Sequence, residues 1–179
     1  MEKTLKILLL EDNSGDARLA QELLKDNKDL LCEVEWVDRL ASAVERLRRG
    51  GVDVILADLA LPDCTGLEIL ARLHTQAPQI PTVVLTGTYD EKTGVEAVRL
   101  GAQDYLLKDR IDGYSLSRSI RYSIERKRTE EAILKKVKEL DQMNKIMMNR
   151  EMRILELKEE VERLRAHTSI KKPEKEISG

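Results

Sequence analysis

Phenylalanine is absent from the sequence, and the 179 residues include only one tryptophan and four tyrosines. Any core must therefore be packed from leucine, isoleucine, valine and alanine. Hydrophobic residues still make up 41% of the chain, which is an ordinary share for a globular protein. The length allows one ordinary domain with an appendage, or two very small domains.

Cysteine is scarce, and long apolar runs are missing. Cys32 and Cys64 form no Cys-x-x-Cys pair, and in a chain of this size they are typical of reduced thiols rather than of a disulfide framework. No apolar run approaches the roughly 20 residues that cross a bilayer, and the N-terminus lacks a secretory signal pattern. We therefore expect a cytoplasmic protein with no membrane segment.

The net charge of -2 conceals an uneven distribution. Residues 1–112 contain 14 basic and 21 acidic side chains, whereas residues 113–179 contain 17 and 12. The basic cluster in the second part could contact nucleic acid, but no helix-turn-helix or other reading element follows it. We expect a solvated helix flank and no nucleic-acid partner. The cluster consists of Arg118, Arg121, Arg126, Lys127 and Arg128.

Five short apolar segments alternate with helix-length segments over residues 1–125. Three of the five are nearly continuous in valine, isoleucine and leucine, which is typical of strands buried on both faces of a parallel sheet. Ser14 can cap the first intervening helix. The alternation predicts an α/β fold with a doubly wound, five-stranded parallel sheet. The apolar segments are 5–10, 34–37, 52–57, 82–85 and 104–107.

The last part of the chain is predicted to be one long helix, because neither glycine nor proline occurs between Tyr114 and Pro173. Its apolar residues form two heptad-like runs whose phases are offset, so a solvated single helix and a coiled coil are both possible. We favour a homodimer, since a lone helix cannot bury these side chains, and Asn144 at a core position fits a parallel pair. The runs are Ile133, Val137, Leu140, Asn144 and Met147, then Ile154, Leu157, Val161 and Leu164.

The expected domain organisation follows from these patterns. Residues 1–125 form the α/β domain, residues 126–167 a long helix or coiled coil, and residues 168–179 a flexible tail of polar composition.

Polar residues follow the predicted strands at the points where the strands end. Glu11 and Asp12 follow the first strand, Asp58 ends the third, Thr86 ends the fourth, and Lys108 follows the fifth. The carboxyl ends of parallel strands meet at one edge, where such sheets bind ligands. Three carboxylates cannot stay ionised together without a cation, and oxygen ligands of high charge suit Mg²⁺. An ammonium and a hydroxyl beside them could bind a phosphoryl group, for which a carboxylate is a possible nucleophile.

Residues 1–125 resemble the receiver domain of two-component response regulators. The resemblance implies a (βα)5 flavodoxin-like fold with the last helix extended. The features that carry it occur in the family's order and at its spacings. They are the acidic pair Glu11–Asp12, Asp58 after "VDVILA", Pro62 and Gly66 in the following loop, Thr86 in "VVLTG", and Tyr105 and Lys108 in "AQDYLLK".

The resemblance implies that Asp58 accepts a phosphoryl group from a histidine kinase or phosphotransfer protein. Asp12, Asp58 and the backbone carbonyl of Ala60 would coordinate Mg²⁺, with Glu11 acting directly or through water. Lys108 would pair with the phosphoryl oxygens.

The resemblance also implies a conformational switch. Thr86 would hydrogen-bond to the phosphoryl group, and Tyr105 would rotate inward behind it. The response would then appear at the fourth helix, fifth strand and fifth helix. Such a protein is a phosphoacceptor and not an enzyme with a separate substrate.

Two departures from the family pattern have consequences. Asp109 replaces the usual proline after Lys108, and a cis bond before a non-proline residue costs about 3 kcal/mol, so we expect a trans or locally strained bond there. Ala60 and Thr88 occupy the positions where polar side chains can orient a hydrolytic water. Alanine cannot do this, so we expect slow to moderate autodephosphorylation.

Three other interpretations compete with this one. A phosphatase of the haloacid dehalogenase type needs a second aspartate two residues after the nucleophile, and Ala60 stands there. The chain could be a non-phosphorylated receiver-like scaffold whose coiled coil carries the function. It could also be a receiver-plus-linker fragment of a larger sensor-kinase-type protein, since residues 126–179 have no room for a DNA-binding or catalytic domain.

Overall fold

A computed structural model describes residues 4–27, 30–87 and 91–169 of the chain. Each of the five apolar segments contributes a strand. The strands are β1 Leu5–Leu10, β2 Cys32–Val37, β3 Val54–Asp58, β4 Thr82–Thr86 and β5 Ala102–Leu107. They form one sheet with the order β2-β1-β3-β4-β5, and each neighbouring pair is parallel. This confirms the predicted doubly wound, five-stranded sheet.

A helix follows each strand. The cap of the first helix differs from the prediction: Ser14 is already helical, and the preceding Asn13 is the cap. Its Oδ1 accepts hydrogen bonds from the backbone N–H groups of Gly15 and Asp16. A capping side chain accepts from the N–H groups two and three residues further along the chain, and Asn13 stands at that distance from both donors. The helices are α1 Ser14–Lys25, α2 Leu40–Arg48, α3 Glu68–Gln76, α4 Glu91–Arg99 and α5 Gly113–Ser169.

Both faces of the sheet are covered, which explains the continuous apolar runs. Alternate residues of a strand point to opposite faces. Leu8 and Ile55 therefore belong to the core shared with α2 and α3, whereas Ile7 and Leu56 belong to the core shared with α1 and α5. The buried apolar residues are leucine, isoleucine, valine and alanine, as the absence of phenylalanine requires.

The chain divides into two units, the first ending at Glu131 and the second beginning at Ala132. In the first unit, the α5 residues Leu116, Ile120 and Ile124 are buried in the core. In the second unit, every side chain described from 132 to 166 is exposed. Residues 170–179 of the predicted tail lie outside the described residues. None of the described helices is long and apolar enough to span a membrane.

Gly113 brings the start of α5 into close contact with α1. A Cβ at this position would lie 2.8 Å from the backbone oxygen of Leu23, and Asn27 Nδ2 donates a hydrogen bond to the Gly113 carbonyl at 3.1 Å. Because a backbone oxygen cannot move aside cheaply, we expect Gly113→Ala to lower the free energy of unfolding by about 2 kcal/mol.

The matched control is Gly94→Ala in α4. The added Cβ would meet Tyr105 Cδ1 at 3.4 Å, which is ordinary van der Waals contact, and alanine has the higher helix propensity. Urea denaturation of both variants should show a loss for Gly113→Ala and none for Gly94→Ala. Equal midpoints for Gly113→Ala and the unmodified protein would contradict the close contact.

Candidate functional site

The carboxyl edge of the sheet brings together acidic residues that are far apart in sequence. Glu11 follows β1 and Asp58 ends β3. Glu11 is 1% exposed to solvent and Asp58 is 7% exposed. Asp12 lies beside them and is exposed. One carboxylate oxygen of each of these three residues lies within 4.8 Å of the other two. This acidic cluster, Glu11, Asp12 and Asp58, could hold a metal ion through oxygen ligands alone.

Lys108, directly after β5, supplies the positive charge at this edge. Its Nζ lies 2.6 Å from Glu11 Oε2, 2.7 Å from Asp58 Oδ2 and 3.1 Å from Asp16 Oδ2. Burial by itself lowers the pKa of the ammonium, but the hydrogen bonds to Asp58, Glu11 and Asp16 outweigh it and hold the pKa of Lys108 above its ordinary value. Lys108 is therefore a permanent cation.

Glu11 is the most deeply buried of these acids. Burial raises the pKa of its carboxyl above the usual value, and the hydrogen bond and charge of Lys108 oppose this shift. The backbone around Glu11 is tied to the edge strand β2: its N–H donates to Val37 O at 3.0 Å, and Trp36 Nε1 donates to its carbonyl oxygen at 2.7 Å. The sole tryptophan thus contacts the backbone of the acidic cluster.

Asp58 is held at both carboxylate oxygens. Oδ1 accepts a hydrogen bond from the Ala60 N–H at 3.2 Å, and Oδ2 accepts one from Lys108 Nζ. The loop after Asp58 folds back on itself, since Gly66 N donates to Leu59 O at 2.6 Å and Ala60 forms an isolated antiparallel bridge with Thr65. Gly66 has a φ of +68°, which favours glycine. These contacts fix the backbone beside Asp58.

Asp63 anchors this loop to α2. Within the described residues, the N-cap residue of α2, Arg39, makes no side-chain capping bond. Instead, the backbone N–H groups of Leu40 and Ala41 donate to Asp63 Oδ1 and Oδ2, both at 3.0 Å. Slight burial raises the pKa of Asp63, but these hydrogen bonds outweigh it and hold the pKa below the usual value. The loop is therefore pinned from a neighbouring helix.

Thr86 and Tyr105 lie on the neighbouring strands β4 and β5, and Lys108 follows β5. Thr86, half-buried, ends β4 and pairs with Leu107 of β5, and its carbonyl accepts a hydrogen bond from Lys108 N at 2.8 Å. Tyr105, also half-buried, lies three residues before Lys108, with its ring beside Gly94 of α4. The backbone thus links both positions to the site.

The model of the response regulator receiver domain family matches residues 7–121 of the chain, the same part that forms the sheet and this edge. The chain belongs to this family. Receiver domains of two-component regulators act as phosphoacceptors, and the receiver resemblance noted in the sequence is confirmed.

Curated relatives of this receiver domain include larger regulators. Regulatory protein LuxO of Vibrio cholerae is 36% identical over 100 residues, which cover 56% of this chain and 21% of that protein. Transcriptional regulatory protein ZraR of Klebsiella oxytoca is 31% identical over 108 residues, which cover 57% and 22%. The chain thus spans about a fifth of the length of these relatives.

Solved receiver structures have the same fold. A response regulator receiver domain protein from Clostridium thermocellum superposes with a TM-score of 0.62 at 26% identity, over 70% of this chain and 98% of that one. The signal receiver domain of a putative LuxO repressor from Vibrio parahaemolyticus gives a TM-score of 0.64 at 24% identity, over 73% and 98%. The second likeness shows the fold alone.

The structure places most of the residues predicted for the receiver site near one another. The acidic cluster and Lys108 converge, and the Ala60 backbone contacts Asp58. Thr88 lies outside the described residues. The peptide bond between Lys108 and Asp109 is trans, since no cis bond occurs in the described part of the chain.

Two further aspartates near the strand ends form contacts between separate elements. Asp63 lies in the loop after Asp58 and caps α2. Asp104 lies in β5, and its Oδ2 accepts a hydrogen bond from Ser119 of α5 at 2.6 Å. Residue spacing cannot reveal either contact, because both are formed across space between separate elements.

Sequence reasoning overlooked Asp16, the third partner of Lys108. Asp16 lies in the first turn of α1, and residue spacing gives no signal for a contact with a lysine 92 positions later in the chain. A crevice of about 360 Å³ opens beside the contact and is lined in part by Asp16, Leu19, Leu85, Lys108 and Ile111.

Removal of the central cation tests this electrostatic arrangement. We expect Lys108→Met to lower the free energy of unfolding near neutral pH by about 3 kcal/mol, because buried carboxylates lose their partner. The pKa of Glu11 is already raised in the folded protein and should rise further. The folded state then binds more protons than the unfolded state, so the deficit should grow from about pH 5 to about pH 7.5.

Urea denaturation at both pH values measures this effect, with Lys6→Met as the control. Lys6 is an exposed residue of β1, so its replacement removes the same charge without unpairing an acid of the site. A deficit of the same size at both pH values would contradict the electrostatic explanation.

Proposed function

We propose that this chain is the phosphoacceptor receiver of a two-component pathway in which Asp58 takes a phosphoryl group from the phosphohistidine of a histidine kinase or phosphotransfer protein. The observation that carries the proposal is the position of Asp58, which is nearly buried at the strand end. It lies 2.7 Å from Lys108 and shares an acidic cluster with Glu11 and Asp12. Few other functions need a carboxylate, a cation and a metal-binding cluster at one point.

The donor set fits Mg²⁺. The cluster offers carboxylate oxygens only, which is the ligand type that this small, hard cation prefers. Asp12 and Asp58 are the proposed direct ligands with the Ala60 carbonyl, and Glu11 binds directly or through water. When bound, the ion neutralises negative charge between the carboxylates and the phosphoryl oxygens.

The chain's own residues then have distinct parts in the transfer. A carboxylate oxygen of Asp58 attacks phosphorus and forms a P–O bond, while the P–N bond breaks and its electron pair returns to the donor imidazole. The Ala60 N–H and Lys108 hold the carboxylate in place beforehand. Lys108 then pairs with the phosphoryl oxygens, where an ammonium stabilises negative charge.

Thr86 and Tyr105 are the proposed switch residues. Thr86 hydrogen-bonds to the bound phosphoryl group, and Tyr105 rotates inward behind it. The ring of Tyr105 lies beside Gly94 of α4, so an inward rotation would alter the contact between β5 and α4. The altered surface comprises α4, β5 and the first part of α5.

Ala60 favours a long-lived phosphoaspartate and argues against a separate phosphatase activity. Ala60 offers no polar side chain to orient water or to act as a general acid two residues after Asp58. We propose slow to moderate autodephosphorylation, with a lifetime well beyond seconds.

Phosphorylation can be tested by intact-mass spectrometry after incubation with MgCl2 and acetyl phosphate. The unmodified chain should gain one phosphoryl group. Asp58→Asn should gain none, because its amide is a far weaker nucleophile than a carboxylate. Asp38→Asn, which removes an exposed carboxylate next to β2 at the same sheet edge, should be phosphorylated like the unmodified chain. Failure of the unmodified chain to react, or reaction of Asp58→Asn, would favour a non-phosphorylated scaffold.

We further propose that the output runs through residues 126–167 as a homodimer, with residues 1–125 as receiver and 168–179 as tail. Five apolar residues recur every seven positions, and all are exposed. Helices that supercoil around one another keep such a seven-residue repeat and add a second apolar position in each heptad. A second copy of the helix is a partner that would bury the same repeat. The five residues are Ile133, Leu140, Met147, Ile154 and Val161.

Charge and polarity favour a parallel pair in register. The apolar residues that flank the repeat change side along the helix, from Val137 in the first half to Leu157 and Leu164 in the second. In a parallel pair, residues five positions apart meet across the two sides of the seam. This arrangement places one pair of opposite charges in each half, and in the second half it also places Arg153 near Lys158, which have the same charge. The interhelical pairs would be Lys136 with Asp141 and Glu160 with Arg165.

Sedimentation equilibrium tests the dimer. The full chain should be dimeric, and the double variant Leu140→Lys/Ile154→Lys should be monomeric because two charges would enter the seam. Met152→Lys should stay dimeric, since Met152 is equally exposed but lies off the repeat. A monomeric full chain, with and without beryllofluoride, would remove the dimer from the proposed output.

A further inference from the structure

Lys108 has a partner that lies outside the acidic cluster. Asp16 belongs to the first turn of α1, its Oδ2 lies 3.1 Å from Lys108 Nζ, and its side chain is 43% exposed, compared with 15% for Lys108. Glu11 and Asp58 are members of the cluster that could hold a metal ion, whereas the cluster found among the described residues does not include Asp16. Asp16 therefore contacts the lysine without sharing the proposed metal position.

We propose that Asp16 is a positioning residue that tethers the Lys108 ammonium to α1 and sets the balance between cation and anion binding at the site. The proposal rests on the proposed phosphoacceptor function. An ammonium has three N–H donors, and the structure provides three carboxylates for them. When Glu11 and Asp58 bind a cation and a phosphoryl group, their contacts with Lys108 weaken. Asp16 is then the carboxylate that still accepts a hydrogen bond from Lys108.

The tether has two electrostatic consequences of opposite sign. Asp16 offsets the charge of Lys108, so the site attracts a divalent cation more strongly and an anionic phosphoryl group less strongly than it would without Asp16. Loss of the Asp16 charge should also tighten the hold of Lys108 on Glu11 and Asp58, which are the acids that a cation needs. Cation affinity should therefore fall, and anion affinity should rise.

A purely structural role for Asp16 leads to a different expectation. An acidic residue in the first turn stabilises a helix through the helix dipole, and the Asp16 N–H also donates to Asn13 Oδ1 at 3.3 Å. If this were its whole role, loss of the charge would reduce stability and leave the two affinities in their original balance. Opposite shifts in the two affinities distinguish the roles.

The experiment uses the fluorescence of Trp36, which is the sole tryptophan and donates its Nε1–H to the Glu11 carbonyl. The full chain is titrated with MgCl2 alone, and then with beryllofluoride at saturating Mg²⁺. For Asp16→Asn we expect Mg²⁺ affinity to fall about three- to tenfold and beryllofluoride affinity to rise about two- to fivefold. Both shifts should shrink as ionic strength increases.

Two further variants complete the design. Asp16→Glu keeps the charge and should restore both affinities to within about twofold of the unmodified chain. Asp26→Asn removes the same charge from an exposed site at the far end of α1 and should change neither affinity. Urea denaturation of each variant establishes that it is folded at the titration temperature.

The outcomes separate this proposal from the one on which it rests. If beryllofluoride fails to bind the unmodified chain, the phosphoacceptor function fails and the role of Asp16 fails with it. If the unmodified chain binds beryllofluoride but Asp16→Asn shifts neither affinity, or shifts both in the same direction, only the tether is overturned.

Discussion

The contact of one ammonium with three carboxylates holds the carboxyl edge of this sheet together. Lys108 joins Glu11 after β1, Asp16 in α1 and Asp58 at the end of β3. Two of these acids are almost completely buried, and burial of like charges is costly unless they are paired. The ammonium of Lys108 therefore lies next to the acidic cluster at which the proposed function requires a bound Mg²⁺ ion. Lys108 and the proposed metal ion share two of the same acidic residues, Glu11 and Asp58.

Much of this arrangement follows from sequence, for a specific physical reason. A strand covered on both faces needs a continuous apolar run, so Ile7–Leu10 and Val54–Ala57 can be predicted as buried strands from the sequence. The first polar residue after each run must lie at the carboxyl edge. Glu11 and Asp58 were therefore predictable as neighbours. Lys108 follows a strand that is not a continuous apolar run, and its place was predicted from the alternation of strands and helices and from the order of motifs that matched a known family.

The remaining contacts depend on quantities that residue patterns do not contain. Asp63 caps a helix that begins more than twenty residues earlier, and Asp104 bonds to Ser119 across the interface of β5 with α5. Asp16 meets Lys108 only because of the rotation of α1 about its axis. Such contacts follow from the packing of finished elements, so a single sequence gives their residue types but not their pairing.

Strand β5 connects the proposed chemistry to the proposed output. Lys108 follows its last residue, Tyr105 lies beside α4, and the Asp104 carboxylate is bonded to Ser119 on α5. These three positions lie within five consecutive residues of one extended segment. In the proposed function, a displacement of Lys108 toward a phosphoryl group would therefore act on a segment that contacts both helices. The same helix α5 carries the exposed seven-residue repeat, so β5 is hydrogen-bonded through Asp104 to the helix on which that repeat lies. In the proposed function, a change of charge at Asp58 would reach α5 through the last strand of the receiver, because Asp104 of that strand is hydrogen-bonded to Ser119 of the helix.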